Sequence, residues 1–264
     1  MIGFSREGRL VEAGQPTVAS EPILGMQGSG GETGFVDLDA APLLSVVVSD
    51  PAATPVQEGL VGAAGWRLAV KRVMDVIGSL VALVLFAPVL VVVAVAIGAT
   101  SSGPILYRQQ RVGRGGKPFT MYKFRSMEDR AHEQRDHHRH MNEATGPVFK
   151  IREDPRVTRV GRVIRRMSID ELPQFVNVLL GQMSMVGPRP ALPEECAMYT
   201  EREMGRLLVK PGITCRWQVS GRSDLDFETW VDLDLEYIRT WSLHQDLVLL
   251  LRTVPAVLFG KGAY

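Results

Sequence analysis

Apolar residues are distributed very unevenly along the chain. The longest uninterrupted run, VIGSLVALVLFAPVLVVVAVAIGA at residues 76–99, holds 24 residues without a charge. A straight helix of that length would cross a hydrocarbon core of about 30 Å. Pro88 stands at its centre, leaving 12 residues before it and 11 after. At 1.5 Å of rise per residue neither arm exceeds roughly 18 Å. Both flanks are basic, with Arg67, Lys71 and Arg72 before the run and Arg108, Arg111, Arg114 and Lys117 after it. The tendency of cations to stay on the cytoplasmic side would keep both ends there. A proline-broken, re-entrant hairpin meets both constraints. The simple alternative is a single straight span, because many spanning helices tolerate a proline.

Beyond this run the pattern is that of a small folded domain. Residues 105–107 and 119–124 predict short strands on either side of a glycine-rich turn, RVGRGGK. The turn lacks the spacing of a phosphate-binding loop. Residues 127–142 are strongly polar and predict a helix. Further helices are predicted over 170–180, stopped by Gly181, then over 194–208, 227–240 and 243–254. The last contains an apolar stretch at 247–251 suited to a membrane surface. Trp217, Trp230 and Trp241 suit either an interfacial belt or core packing. The expected fold is α+β and mainly helical, membrane-associated through the re-entrant helix, with a small cytoplasmic catalytic domain.

Composition refines the picture at the N-terminus. Residues 1–65 are rich in Gly, Ala, Pro, Ser and Thr, and their only notable apolar run is PLLSVVV at 42–48. That predicts a disordered tail. The tail carries two basic and eight acidic residues, so the net charge of +1 for all 264 residues conceals about +7 on the remainder. A basic body with a long apolar segment fits an anionic membrane or a phosphorylated substrate. No nucleic-acid motif is present, so no nucleic-acid partner is expected. The two cysteines, Cys196 and Cys215, form no disulfide framework and point to a reducing compartment. The expected division is 1–65 tail, 66–104 membrane helix and 105–264 catalytic domain. No cleaved signal peptide is expected.

The chemistry concentrates in SIDELPQFVN at 168–177 and VGPRP at 186–190. Asp170 and Glu171 are adjacent acids that repel unless a cation sits beside them. Arg162, Arg165 and Arg166 stand upstream and Arg189 downstream, offering forks for a phosphate. A divalent metal, a phosphorylated substrate and a carboxylate nucleophile would satisfy this pattern together. The duller reading is helix capping. Ser168 and Glu171 have capping-box spacing, although Pro173 fits the first turn better if Asp170 is the cap. Arg189 lies between two prolines that restrict its backbone. Lys123 and Arg125 would share one face of an extended segment, which suits a diphosphate or a solvated strand equally. Glycines between Pro211 and Arg222 would let the backbone approach a ligand closely. In the run AHEQRDHHRH, His132, His137, His138 and His140 invite a metal reading, but a solvated helix explains them as well.

These residues resemble a known family. KRVMDVIGS, LYRQQRVGRGGKPFTMYKFRSM, DPRVTRVGRVIRRMSIDELPQFVNVLLGQMSMVGPRP and LLVKPGIT…WQVSGRSD are similar, in order, to the bacterial sugar transferases. These are monotopic polyprenyl-phosphate phosphoglycosyl transferases, and the likeness spans about residues 66–264. It implies transfer of a hexose-1-phosphate from a UDP-sugar to undecaprenyl phosphate at the inner membrane's cytoplasmic face, releasing UMP. That would be the first membrane step of exopolysaccharide or capsule assembly. The resemblance makes Asp170 the nucleophile, forming an aspartyl-phosphosugar, with Glu171 its partner at Mg²⁺. It puts Lys123, Arg125, Arg165, Arg189 and Arg222 at substrate-binding positions. Two departures stand out: Ala87 precedes Pro88 where relatives often have Ser, and Cys215–Arg216 replaces a common Gly and apolar residue. The sugar that suits the resemblance best is glucose or galactose. A non-catalytic membrane scaffold is the rival from another class, and a metal-dependent pyrophosphatase the rival among enzymes.

Overall fold

A computed structural model describes residues 59–131, 133–220 and 225–258. Most of the expected tail, together with His132 and Arg222, lies outside the described residues. Residues 59–64 of that segment join the body: Leu60 is buried, and its amide donates to the Ile238 carbonyl at 2.8 Å.

Helix α1 runs from Gly65 to Thr100. Its helical hydrogen bonding continues past Pro88, so the expected break is absent from the secondary structure; 36 residues make about 54 Å of helix if straight. Its buried residues, Lys71, Asp75, Ser79, Val93 and Ile97, fall on one stripe at helical spacing, whereas Val84, Leu85, Val91 and Val92 in the middle are exposed. Such an apolar, uncovered centre is stable only in a non-aqueous surrounding.

Both ends of α1 rest on the same folded body. Near its start, Lys71 Nζ donates to Asp246 Oδ2 at 2.7 Å and to the Val186 carbonyl at 3.1 Å. Asp75 Oδ1 accepts from the Met185 amide at 2.9 Å and from Ser184 Oγ at 3.0 Å. Near its end, Val93 and Ile97 pack with Phe124 and Ile164. The basic flanks are therefore not simply headgroup contacts. Lys71 is buried in an ion pair, Arg72 donates to the carbonyls of Val178 at 2.6 Å and Leu179 at 2.8 Å, and Arg111 is buried.

Strands β1 (Leu106–Val112) and β2 (Pro118–Phe124) form an antiparallel hairpin pairing Leu106 with Phe124 and Val112 with Pro118. Helix α2 (Arg159–Arg166) starts at Thr158, whose hydroxyl accepts from the Gly161 amide at 2.8 Å. Helix α3 covers Gln174–Leu179, and a parallel pair follows, β3 (Ser184–Val186) beside β4 (Gly212–Thr214). The approach of these strands depends on glycine. A Cβ on Gly212 would lie 2.1 Å from the Gly187 amide nitrogen.

The helix expected over 194–208 is three short pieces: α4 (Pro193–Cys196), α5 (Glu201–Met204) and a 3₁₀ turn over Gly205–Leu208. Thr200 restarts the chain with its own capping box, its amide donating to Glu203 at 2.6 Å. Residues 127–142 hold a 3₁₀ turn, Asp136–Met141, rather than a continuous helix. Helices α6 (Phe227–Thr240) and α7 (Leu243–Leu258) close the fold. All three tryptophans in question are buried, and Trp217 stacks on Trp230 with ring centres 4.3 Å apart, so core packing is their role.

Candidate active site

The adjacent acids sit in a 3₁₀ turn, Ile169–Glu171, between α2 and α3. The capping box expected of Ser168 does not form. Ser168 adopts a left-handed conformation (φ 53°, ψ 22°) and makes no side-chain cap bond. Pro173 is the residue ahead of α3, so Asp170 precedes that helix rather than capping it. A non-glycine residue held left-handed costs about 1–3 kcal/mol and persists where its surroundings fix it. Here the reversal turns Asp170 inward, and it is only 8% exposed.

Lys123, on β2, donates from Nζ to Glu171 Oε1 at 2.8 Å. This meeting depends on Asn177, which carries no distinctive signal in the sequence. Asn177 is fully buried in α3 and bonds to β2 twice: Oδ1 accepts from the Tyr122 amide at 3.0 Å, and Nδ2 donates to the Thr120 carbonyl at 2.7 Å. A third bond reaches Gln182 Oε1 at 2.7 Å. The amide thus fixes β2 to α3 next to the lysine and the two acids.

Electrostatics separate the two carboxyls. Burial pushes Asp170 up to about 6; Lys123 opposes the rise, Glu171's charge adds to it, and Arg165 lies close enough to lower it slightly. Burial also acts on Glu171, but Lys123, with Arg189 and Arg111 behind it, holds that carboxyl below its ordinary value. A neighbouring pair pushed apart in this way is a mark of acid, base or nucleophile chemistry.

A second cationic group lies around the loop at 186–190. Arg189 Nη1 approaches Glu195 Oε1 at 3.5 Å, and Glu195 Oε2 accepts from the Leu192 amide at 2.9 Å. Behind the loop, Arg111 donates to the Pro190 carbonyl at 2.8 Å and to Gln109 Oε1 through two nitrogens. Burial and the neighbouring Arg189 push Arg111 down to about 10, leaving it protonated at neutral pH. The Val112 amide donates to the Ala191 carbonyl at 2.9 Å and ties the same loop to β1. Neither Glu195 nor this role of Arg111 was read from the sequence. An acid two residues past a proline and a basic strand residue carry no distinctive spacing.

Of the residues expected at the site, Lys123 meets Glu171 beside the buried Asp170, and the charges of Arg165 and Arg189 act on the two acids. Arg125 does not join them. Its buried guanidinium bonds to the Ser102 carbonyl, and to the Ser101 carbonyl at 3.0 Å and hydroxyl at 2.8 Å, clamping the end of α1. The exposed histidines 137 and 140 join no metal-binding cluster among the described residues. Two adjacent carboxylates with hard oxygen donors nonetheless suit Mg²⁺, which takes one or two carboxylates and completes its shell with water and substrate phosphate.

Residues 66–260 match the family described as bacterial sugar transferase. The galactosyl transferase CpsE of Streptococcus agalactiae is 43% identical over 198 residues, which is 75% of this chain and 44% of that protein. The exopolysaccharide production protein ExoY of Rhizobium meliloti is 37% identical over 220 residues, 82% of this chain and 96% of ExoY. A UDP-glucose:undecaprenyl-phosphate glucose-1-phosphate transferase of Klebsiella pneumoniae is 41% identical over 208 residues, 76% of this chain and 42% of that protein. The chain thus spans less than half of the first and third relatives and nearly all of ExoY.

Proposed function

The chain belongs to the bacterial sugar transferase family, and we propose that it transfers a hexose-1-phosphate from a UDP-sugar to undecaprenyl phosphate. The product is a diphosphate-linked lipid that starts an exopolysaccharide or capsule unit, and UMP is released. The observation that carries this reading is the buried Asp170 carboxyl, held against Glu171 and beside Lys123 and Arg165. Named activities of relatives agree with it, including UDP-galactose-lipid carrier transfer in Erwinia amylovora.

In the proposed reaction Asp170 Oδ attacks the β-phosphorus of the donor. The bond from that phosphorus to the bridging oxygen breaks, UMP leaves, and an aspartyl-phosphosugar remains. A phosphate oxygen of undecaprenyl phosphate then attacks the same phosphorus, and the Asp170 carboxylate is restored. Lys123 and Arg165 offset negative charge around the nucleophile, while Arg189 stands on the Glu171 side for the donor's phosphates. Asp170 and Glu171 would hold Mg²⁺, which neutralises diphosphate charge when bound.

The test is UMP release from a panel of UDP-sugars, with the full chain in lipid nanodiscs. Release sustained only when undecaprenyl phosphate is present, with label recovered in the lipid, is the expected result. Steady hydrolysis indifferent to that lipid would instead identify a pyrophosphatase, and no release from any sugar would leave a scaffold.

The membrane arrangement is part of the proposal. With both ends of α1 seated on one body, a re-entrant helix in the cytoplasmic leaflet is favoured over a span. Single cysteines placed near Ala64 and near Tyr107 are expected to resist a membrane-impermeant thiol reagent added from outside intact cells. Labelling of the second site alone would establish a crossing helix.

A further inference from the structure

One side of α2 is not used by the site or the core. Turning about 100° per residue, Val160 and Ile164 face α1, where Ile164 is buried with Val93 and Ile97. Arg165, half-buried, forms the opposite edge about 100° on from Ile164. Between these two edges the remaining residues, Arg159, Arg162, Val163, Arg166 and Met167, are all exposed, Val163 to 56% and Met167 to 44%. The exposed apolar pair therefore borders the edge that packs on the membrane helix, and the arginine row continues from it. Three guanidinium groups occupy positions i, i+3 and i+7, and the row ends four residues before Asp170. Among the described residues none of the three pairs with a carboxylate. Like charges at such spacing repel each other, so a row of this kind without acids is complementary to an anion that is not part of the chain.

We propose that this face of α2 receives the phosphate monoester of the polyprenyl acceptor at the membrane boundary and passes it to Asp170. The inference rests on the transfer reaction proposed above and adds the place where the second substrate docks. Val163 and Met167 contact the first apolar units of the lipid, and Arg162 and Arg166 contact its head. A phosphate monoester carries up to two negative charges and accepts from two guanidinium forks at once. A phospholipid's diester carries one, so the acceptor is the better match for a row of three.

The two half-reactions separate this docking role from donor chemistry. Exchange of labelled UMP into the UDP-sugar uses the donor site around Asp170 and needs no acceptor, whereas complete transfer also requires the acceptor. The full chain carrying Arg162→Gln and Arg166→Gln is placed in phosphatidylcholine nanodiscs with a graded content of undecaprenyl phosphate. The acceptor KM is expected to rise about tenfold or more, as two charged hydrogen-bond donors are lost. UMP exchange should proceed at the wild-type rate, and the Arg162→Lys, Arg166→Lys protein should recover most of the lost affinity. An unchanged acceptor KM overturns the proposal, and so does a loss of exchange equal to the loss of transfer. A defect seen only in discs containing anionic phospholipid also overturns it, because the row would then bind bulk lipid. Absence of exchange in the wild-type protein would instead refute the covalent route, leaving the acceptor KM to judge the docking face by itself.

Discussion

An Asp170→Asn protein is expected to lose sugar-phosphate transfer by roughly a thousandfold or more, the scale seen when a covalent nucleophile is removed, while becoming more resistant to heat at pH 8. The first effect follows from losing the attacking oxygen, the second from the burial of its carboxyl. Its folded value is about 6 against the ordinary 3.8. A carboxyl raised in this way favours the folded state fully at low pH, where it is protonated in both states. That contribution disappears as pH climbs through about 6, because ionisation is then easier in the unfolded chain. Removing the charge should therefore recover on the order of 2–3 kcal/mol at pH 8, and almost nothing at pH 4. Thermal unfolding of both proteins at the two pH values checks this. The wild type's kcat/KM should meanwhile fall as pH drops below about 6, when the attacking oxygen becomes protonated. Equal melting curves at pH 8, or substantial turnover by the variant, would contradict the assignment.

The second large effect lies away from the chemistry. Lys71→Met is expected to destabilise the folded protein by about 3–5 kcal/mol, because a buried acid loses its cation. Asp246 is nearly inaccessible and is held by Lys71 at 2.7 Å, Tyr237 OH at 2.7 Å and Trp241 Nε1 at 3.1 Å. Taking away the ammonium leaves that carboxylate among neutral donors, and the Val186 carbonyl loses one of its partners. The double variant Lys71→Met, Asp246→Leu should regain a good part of the loss. Chemical unfolding of the four proteins of this cycle in detergent gives the coupling between the two residues. Additive effects would mean that the pair does not join α1 to the body.

How far the sequence revealed this arrangement depends on the range of the interactions involved. The 24-residue apolar run, the hairpin around RVGRGGK and helix 227–240 were legible, because local pattern and turn chemistry determine them. The adjacent acids Asp170 and Glu171 with arginines on both sides stand out in the sequence, whereas Lys123 joins them only through the family resemblance. What escaped is long-range. Arg125 was expected beside Lys123 at a phosphate, yet it reaches 24 residues back to close the end of α1. Asn177 stands in an apolar stretch with no partner in sequence, and its bonds lie 55 and 57 residues away. The three-residue strands β3 and β4 are too short for alternation to register. The continuous helix expected over 194–208 failed because a cap at Thr200 outweighed general helix propensity.

The seating of α1 at both of its ends has a consequence for the protein as a material. Cutting the chain between residues 104 and 105 would strand the Arg125 guanidinium without its carbonyls and deprive Asp246 of its ammonium. It would also lay bare Phe124 and Ile164, which α1 now covers. Purification without detergent or lipid would therefore have to keep α1 with the body, and its exposed apolar centre would then face water.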